Sequence, residues 1–280
     1  MSIITDAQIH LWPANSEQHP WPEGTQPDLP EPLTAERFLP MMDSMGIKRA
    51  IIAPPAVSGF DPSYALNCAA KYPDRLAVTS RWNFSDPSGL SKLSSWLDPT
   101  NMIGIRVAIL RSMLPRLKES GTLDSFFEEV SANAIPLMCF APGALSEIEL
   151  AAYQHPQLKL VVDHANLVGS TPETVGEKIE ELSQLANYEN VGVKLGALPQ
   201  RSAQKHPYSD LHPHLKSLYS AFGPKRLMWA SDLTTSLKTG TANYNQNLDM
   251  IVQAFDWASQ DDMDWILGRS VSTWFNWPER

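Results

Sequence analysis

The sequence predicts a single (β/α)8 barrel of the TIM type, one domain over residues 1–280 slightly elaborated by long βα loops. Three observations predict it. The chain has 280 residues, near the ~250 that one such barrel uses. Short apolar runs recur eight times, near 3–9, 48–53, 76–82, 102–108, 135–140, 158–163, 190–195 and 226–231, with helix-like stretches between them. The turn after the first run reads Leu11-Trp12-Pro13-Ala14, without the glycines that an open nucleotide-binding sheet needs there.

The first run, Ile3-Ile4-Thr5-Asp6-Ala7-Gln8-Ile9-His10, ends with Gln8 and His10 two positions apart, on one side of a strand. If the strand opens a parallel barrel, both side chains aim at the mouth where such barrels carry their chemistry. Met41, Met42 and Met45 follow at helical spacing and read as core. Arg49-Ala50-Ile51-Ile52-Ala53 and Leu158-Lys159-Leu160-Val161-Val162 are nearly continuous apolar runs, as expected of strands covered on both faces. Asp61-Pro62, Asp86-Pro87 and Thr171-Pro172 each place a capping side chain before a proline at the first helical position. From Glu173 to Ala186, Val175, Ile179, Leu182 and Leu185 fall on one helical face. The stretch from Asp264 to Trp277 reads as a closing helix that packs aromatic residues on the barrel.

Composition narrows the function classes. Hydrophobic residues make up 43% of the chain, enough for a sizeable core. A net charge of −9, without a Lys/Arg run, argues against nucleic acid or an anionic membrane as partner. Cys68 and Cys139 are far apart within apolar segments and read as reduced, buried thiols. No secretory signal and no run near the ~20 residues of a membrane span are evident, so a cytoplasmic protein is expected. The expected partner is a small-molecule substrate, and a homo-oligomer is left open. Residues 13–33 and 196–213 form two long loops on the functional face, the second carrying Arg201, His206, Tyr208 and His212.

Polar residues stand where strands end: His10 after the first, Arg106 in Ile103-Gly104-Ile105-Arg106-Val107, His164 after Val161-Val162-Asp163, and Asp232 after Met228-Trp229-Ala230-Ser231. On a barrel these four meet at one mouth. Together with Asp6-Ala7-Gln8-Ile9-His10-Leu11-Trp12, the Gly192-Val193-Lys194-Leu195 strand and the closing Ile266-Leu267-Gly268-Arg269 segment, they resemble the amidohydrolase superfamily, in particular the branch that contains lactone hydrolases. That resemblance implies roles. Asp232 is the carboxylate that takes a proton from the attacking water. His10 and His164 polarise the substrate carbonyl or bind metal, and Arg106 grips a substrate carboxylate. Gln8 beside His10, Trp12 just after it and Tyr208 of the second long loop are expected, apart from the resemblance, as the further substrate contacts. Plainer roles exist for each: Asp232 as a loop cap, His164 as a satisfied core residue, Arg106 as the partner of a barrel carboxylate. Asp163 is expected to point away from the mouth, and Lys194 to serve as a structural ion-pair partner.

The departure from the family pattern is Gln8. The superfamily's first strand brings two histidines, and a neutral amide is a poor zinc ligand beside imidazole. The strand-five end, Met138-Cys139-Phe140, holds no histidine to replace it. The expected chemistry is therefore metal-free, with His10, His164 and Asp232 as the ligand set if a divalent ion such as zinc does bind. An ester carbonyl suits such a site better than an amide, which directs the expectation to a small lactone or cyclic ester, with the Gln8 amide donating to its carbonyl oxygen. A metal-dependent decarboxylase of the same superfamily and a ligand-binding barrel without catalysis are the rival readings.

Overall fold

The computed structural model describes residues 3–86 and 88–278. Its eight parallel strands are β1 (Thr5–Ile9), β2 (Arg49–Ile52), β3 (Leu76–Arg81), β4 (Met102–Ala108), β5 (Leu137–Phe140), β6 (Leu160–Val162), β7 (Val191–Leu195) and β8 (Leu227–Trp229). They pair in sequence order, and all eight lie where the apolar runs place them. Around them run α1 (Ala35–Ser44), α2 (Ser63–Lys71), α3 (Leu114–Glu119), α4 (Thr122–Ala132), α5 (Leu145–Gln154), α6 (Val175–Ser183), α7 (His212–Phe222), α8 (Leu233–Thr239), α9 (Tyr244–Ala254), α10 (Gln260–Asp264) and α11 (Ser270–Trp274). The fold is a single (β/α)8 TIM barrel.

Two apolar layers hold it. The larger lies between strands and helices and takes in Met42 of α1 and the Val175, Ile179 and Leu182 stripe of α6, continued by Leu185. The smaller fills the barrel: Ala7, Ile51, Ala77, Ile103, Met138, Val161 and Met228 meet Val271, Trp274, Phe275 and Trp277 from the C-terminal segment. The closing segment is thus a plug for one end of the barrel. It is not one helix, because a π-helical turn over Trp265–Arg269 separates α10 from α11. That turn passes so close to the first strand that a Cβ on Gly268 would stand 1.9 Å from the Ile3 carbonyl oxygen.

The proline-marked helix starts are displaced. After Asp61-Pro62, α2 begins at Ser63, with Asp61 accepting from the Ser63 N–H, and α6 begins three residues after Pro172. Pro87 lies outside the described residues. Both cysteines are free and buried. Among the described residues, no helix is long and apolar enough to cross a membrane.

Between β8 and β1 the barrel is fastened by Asp6. Fully buried, its carboxylate accepts from the Ser231 N–H at 2.9 Å, the Ser231 hydroxyl at 2.5 Å, the Tyr244 hydroxyl at 3.0 Å and the Gln8 N–H at 3.1 Å. Burial outweighs these four donors and pushes the carboxyl up to about 6. Below the unfolded value, near 4, the group is protonated in both states and its contribution is fully present. Between about pH 4 and 6 the unfolded chain releases the proton first, so stability falls across that window. His164, held near 4, titrates in the same window with the opposite sign, so the test is the difference: the urea midpoint of wild type minus that of Asp6→Asn is expected to fall as pH rises from 4 to 7. An identical slope in both would separate Asp6 from it.

Candidate active site

The mouth is built by strand ends that local geometry turns inward. In β1, Asp6 pairs with Ala50 and Ile9 with Ile52, so two residues of β1 face one of β2. This bulge breaks simple alternation. Ala7 still joins the barrel interior, Ile9 packs outward, and Gln8 and His10 both enter the mouth. After β6 the chain turns through His164, Ala165 and Asn166, all in the left-handed region with φ of 55°, 48° and 56°. Asp232, after β8, has φ 45°. Strain of this kind in non-glycine residues persists only where the surroundings impose it, and both residues belong to one site. Gly196, just past β7, leaves the room this needs: a Cβ there would stand 3.1 Å from His164 Nδ1.

The side chains converge on one amide nitrogen. Gln8 Nε2 donates to Asp232 Oδ1 at 2.9 Å and lies 3.5 Å from both His10 Nε2 and His164 Nε2. The orientation of the amide is set from its other end, where the buried Lys194 ammonium donates to Gln8 Oε1. His10 Nδ1 lies 2.6 Å from the Ala53 carbonyl oxygen, which fixes that nitrogen as a donor, and Nε2 faces Asp232 Oδ1 at 3.1 Å. Burial pushes His164 down to about 4, so its ring is neutral at pH 7. Burial opposes the charge on Asp232, but the imidazoles of His164 and His10 outweigh it and hold the carboxyl well below the usual range. The centre therefore combines an ionised carboxylate, an amide donor and two imidazoles.

Asp163 corrects the expectation that it points away. It lies beside the mouth between two cations, with Oδ2 accepting from Arg106 Nε at 2.8 Å and Oδ1 2.5 Å from Lys194 Nζ. Burial opposes its ionisation, and Lys194 and Arg106 overcome it, so Asp163 is also held well below the carboxylate range. Arg106 thus takes the barrel carboxylate as partner through one nitrogen, while its side chain stays 16% exposed at the cavity. That cavity, of about 190 Å³, is lined by His10, Arg106 and Arg81 and walled by Gln26, Pro27 and Asp28 of the first long loop.

Trp12 and Tyr208 do not line this cavity. Trp12 is 1% exposed within the outer apolar layer, and Tyr208, 2% exposed, spends its hydroxyl on the Thr241 carbonyl at 2.6 Å. Both are held by packing demands that outrank proximity in sequence. The second long loop is tied to its surroundings through Asp210, which accepts from the Ala203 N–H, and through His206, 2.8 Å from Asp249. Its Arg201 donates to the Ser170 carbonyl at 3.4 Å and lies within the field of Asp232. Sequence reading missed Arg81 and the Lys194–Gln8 contact. The strand-end rule that picked out His10, Arg106, His164 and Asp232 applies equally to Arg81, the last residue of β3.

The sequence model of the amidohydrolase family matches residues 5–277. The chain belongs to the amidohydrolase family. Within it, an L-fucono-1,5-lactonase of Burkholderia ambifaria is 24% identical over 253 residues, covering 86% of this chain and 83% of the relative. A 4-sulfomuconolactone hydrolase of Rhizobium radiobacter is 26% identical over 243 residues, covering 81% and 74%. Among solved structures, a zinc-bound amidohydrolase of Burkholderia multivorans superposes with a TM-score of 0.78 at 20% identity, over 99% of this chain and 100% of that one. The chain is a hydrolase by family.

Members of this family often bind a metal, and the donor set here does not fit one. His10, His164 and Asp232 are the residues that would hold it, and the point on which they converge is taken by Gln8 Nε2. That nitrogen carries protons, whereas a zinc ligand must offer a lone pair at ~2.0–2.3 Å. Turning the amide oxygen to the centre would bring its nitrogen against the Lys194 ammonium and break the contact that holds it. Among the described residues, no group of three or more His, Cys, Asp or Glu side chains is placed to hold an ion.

Proposed function

We propose that this amidohydrolase-family enzyme opens a small lactone ring by water addition, without a resident metal. The carrying observation is the convergence of the Gln8 amide and two imidazoles on the Asp232 carboxylate at the barrel mouth. The two lactone-hydrolysing relatives support the substrate class.

In this reading Asp232 accepts a proton from water as the water oxygen bonds to the ring carbonyl carbon. The carbonyl oxygen becomes an oxyanion facing the Gln8 amide, a donor oriented by Lys194, with the His10 ring held by Ala53 and the His164 ring beside it. When the ring C–O bond breaks, the leaving alkoxide takes the proton back, and the product is an open-chain hydroxy acid. The His10 ring lies between the Ala53 carbonyl and Asp232, 2.6 Å from one and 3.1 Å from the other, and is placed to relay that proton. An ester suits this arrangement because its carbonyl needs less activation than an amide's.

The test is a panel of five- and six-membered lactones read by proton release, with elemental analysis of the same purified enzyme. Turnover of at least one lactone by protein with far less than one metal ion per chain is expected. Turnover that appears only with stoichiometric zinc or manganese, and on aromatic or enoic acids in place of lactones, would turn the assignment to a decarboxylase.

A further inference from the structure

We propose that Asp6 and Ser231 are positioning residues of the reaction, a buried clasp across the β8–β1 seam that sets Asp232 against the Gln8 amide; this rests on the reading of Asp232 as the base. The reaction centre straddles that seam, with Gln8 and His10 on the β1 side and Asp232 past the end of β8. Parallel ladders join each strand to the next from β1 to β8, and among the described residues none joins β8 back to β1. Elsewhere in the barrel a ladder fixes neighbouring strand ends through evenly spaced backbone bonds. At the site one backbone bond crosses the seam among the described residues, from the Asp232 N–H to the Gln8 carbonyl at 3.2 Å. The Asp6 carboxylate adds the rest. Its Oδ1 accepts from the Gln8 N–H at 3.1 Å and from the Ser231 N–H at 2.9 Å, so a single oxygen holds both sides. The 2.9 Å contact between the Gln8 amide and Asp232 thus hangs on few ties, and Asp6 makes two of them.

Ser231 carries the hold into the turn. Its hydroxyl donates to Asp6 Oδ2 at 2.5 Å and accepts from the Leu233 N–H at 3.2 Å, closing a loop of hydrogen bonds around the residue between them. That residue is Asp232, at φ 45° and ψ 44°, a conformation that a non-glycine residue keeps only under constraint. Thr235 secures the far side, its N–H donating to the Asp232 carbonyl at 3.1 Å. Serine fits because a hydroxyl both gives and takes a hydrogen bond, and Asp6 fits because a carboxylate accepts on two oxygens at once. Both residues are wholly buried, and neither lines the cavity at the mouth. Their part is to aim Asp232, not to meet substrate. With the clasp cut, Asp232 is free to relax toward the right-handed region, and its carboxylate leaves the water it must deprotonate. A displacement of about 1 Å lowers a rate by on the order of 10²-fold.

The experiment measures kcat and KM for Ser231→Ala, Asp6→Asn and the two together, on the lactone of the five- and six-membered panel that wild type opens fastest. It repeats Ser231→Ala in an Asp232→Asn background. Ser231→Ala is expected to lower kcat by about 30–100-fold with KM within about twofold. Asp6→Asn turns an NH2 toward the Ser231 hydroxyl in place of Oδ2 and should lower kcat by about tenfold. The pair should lose no more than about threefold beyond Ser231→Ala, because both cut the same contact. With Asp232→Asn there is no base left to aim. There Ser231→Ala should change the residual rate by less than about threefold, while lowering the melting temperature as it does in wild type. An unchanged kcat in Ser231→Ala, or the same loss repeated in the Asp232→Asn background, would overturn the clasp and leave the lactonase reading standing. If Ser231→Ala does not fold, Asp6→Asn decides by the same two comparisons. If wild type opens no lactone, crystal structures of wild type and Ser231→Ala decide. Asp232 out of the left-handed region, with Gln8 Nε2 and Asp232 Oδ1 beyond hydrogen-bonding distance, sustains the clasp alone, and an unmoved Asp232 removes it.

Discussion

Asp232→Asn is expected to lower kcat on a lactone substrate by about 10³–10⁴-fold while leaving the melting temperature near that of the wild type. The two halves of this expectation have separate causes. Asp232 sits at φ 45°, ψ 44°, in the left-handed region, which asparagine tolerates as well as aspartate does. Its backbone N–H donates to the Gln8 carbonyl at 3.2 Å, and an amide oxygen can still accept from Gln8 Nε2. The fold therefore keeps its contacts. Chemistry does not, because an amide cannot take a proton from water. The variant also removes the anion that His10 Nε2 faces at 3.1 Å, so any relay through that ring weakens with it. Single-turnover rates and thermal melts on the same preparation check both halves. A rate within tenfold of wild type would take Asp232 out of the proton transfer. Asp232→Ala is the less informative variant, since alanine lacks the left-handed tolerance and a loss of rate would mix strain with chemistry.

The barrel was legible because its physics repeats. A strand covered by helices outside and by a filled core inside shows as a short continuous apolar run, and eight such runs at helix-length intervals leave few alternatives. Less legible were the points where one residue decides a conformation. Pro62 and Pro172 announce helices, yet α2 and α6 begin beyond them, at Ser63 and Val175. The closing segment reads as one helix, while in the structure a π-helical turn interrupts it over Trp265–Arg269, where Gly268 lies tight against the Ile3 carbonyl.

The site divides in the same way. Alternation put Gln8 and His10 on one side and their agreement with the structure rests on a bulge that alternation alone does not contain. Arg106, His164 and Asp232 were found because charged groups at the ends of parallel strands have few places to go but the mouth. Asp163 escaped that logic: the left-handed turn through His164 lets neighbouring residues serve the same site, one facing Gln8 and the other facing Arg106 and Lys194. Trp12 and Tyr208 were placed by sequence neighbourhood, and their large rings settle in the core, where burial stabilises them more than an exposed wall would.

Gln8→Leu carries the other large effect, a loss of about 10²–10³-fold in kcat, the scale seen when one oxyanion donor is removed. Leucine approximates the shape of glutamine and offers no hydrogen, so Asp232 Oδ1 loses its 2.9 Å donor and the carbonyl oxygen loses an amide to face. Lys194 keeps Asp163 but loses the Gln8 oxygen, and a stability loss of about 1–3 kcal/mol is expected from that unmet donor. Wild-type rate should meanwhile change less than twofold after dialysis against a chelator, and added zinc should not raise it. The reason is positional. A cation at the meeting point of His10, His164 and Asp232 would have to displace an amide nitrogen that Lys194 holds in place from behind, and the ammonium itself repels a second cation nearby. Activity that is lost on chelation and returns with zinc, together with a one-to-one zinc content surviving dialysis, would show that the amide swings aside and that the imidazoles and Asp232 serve as ligands after all.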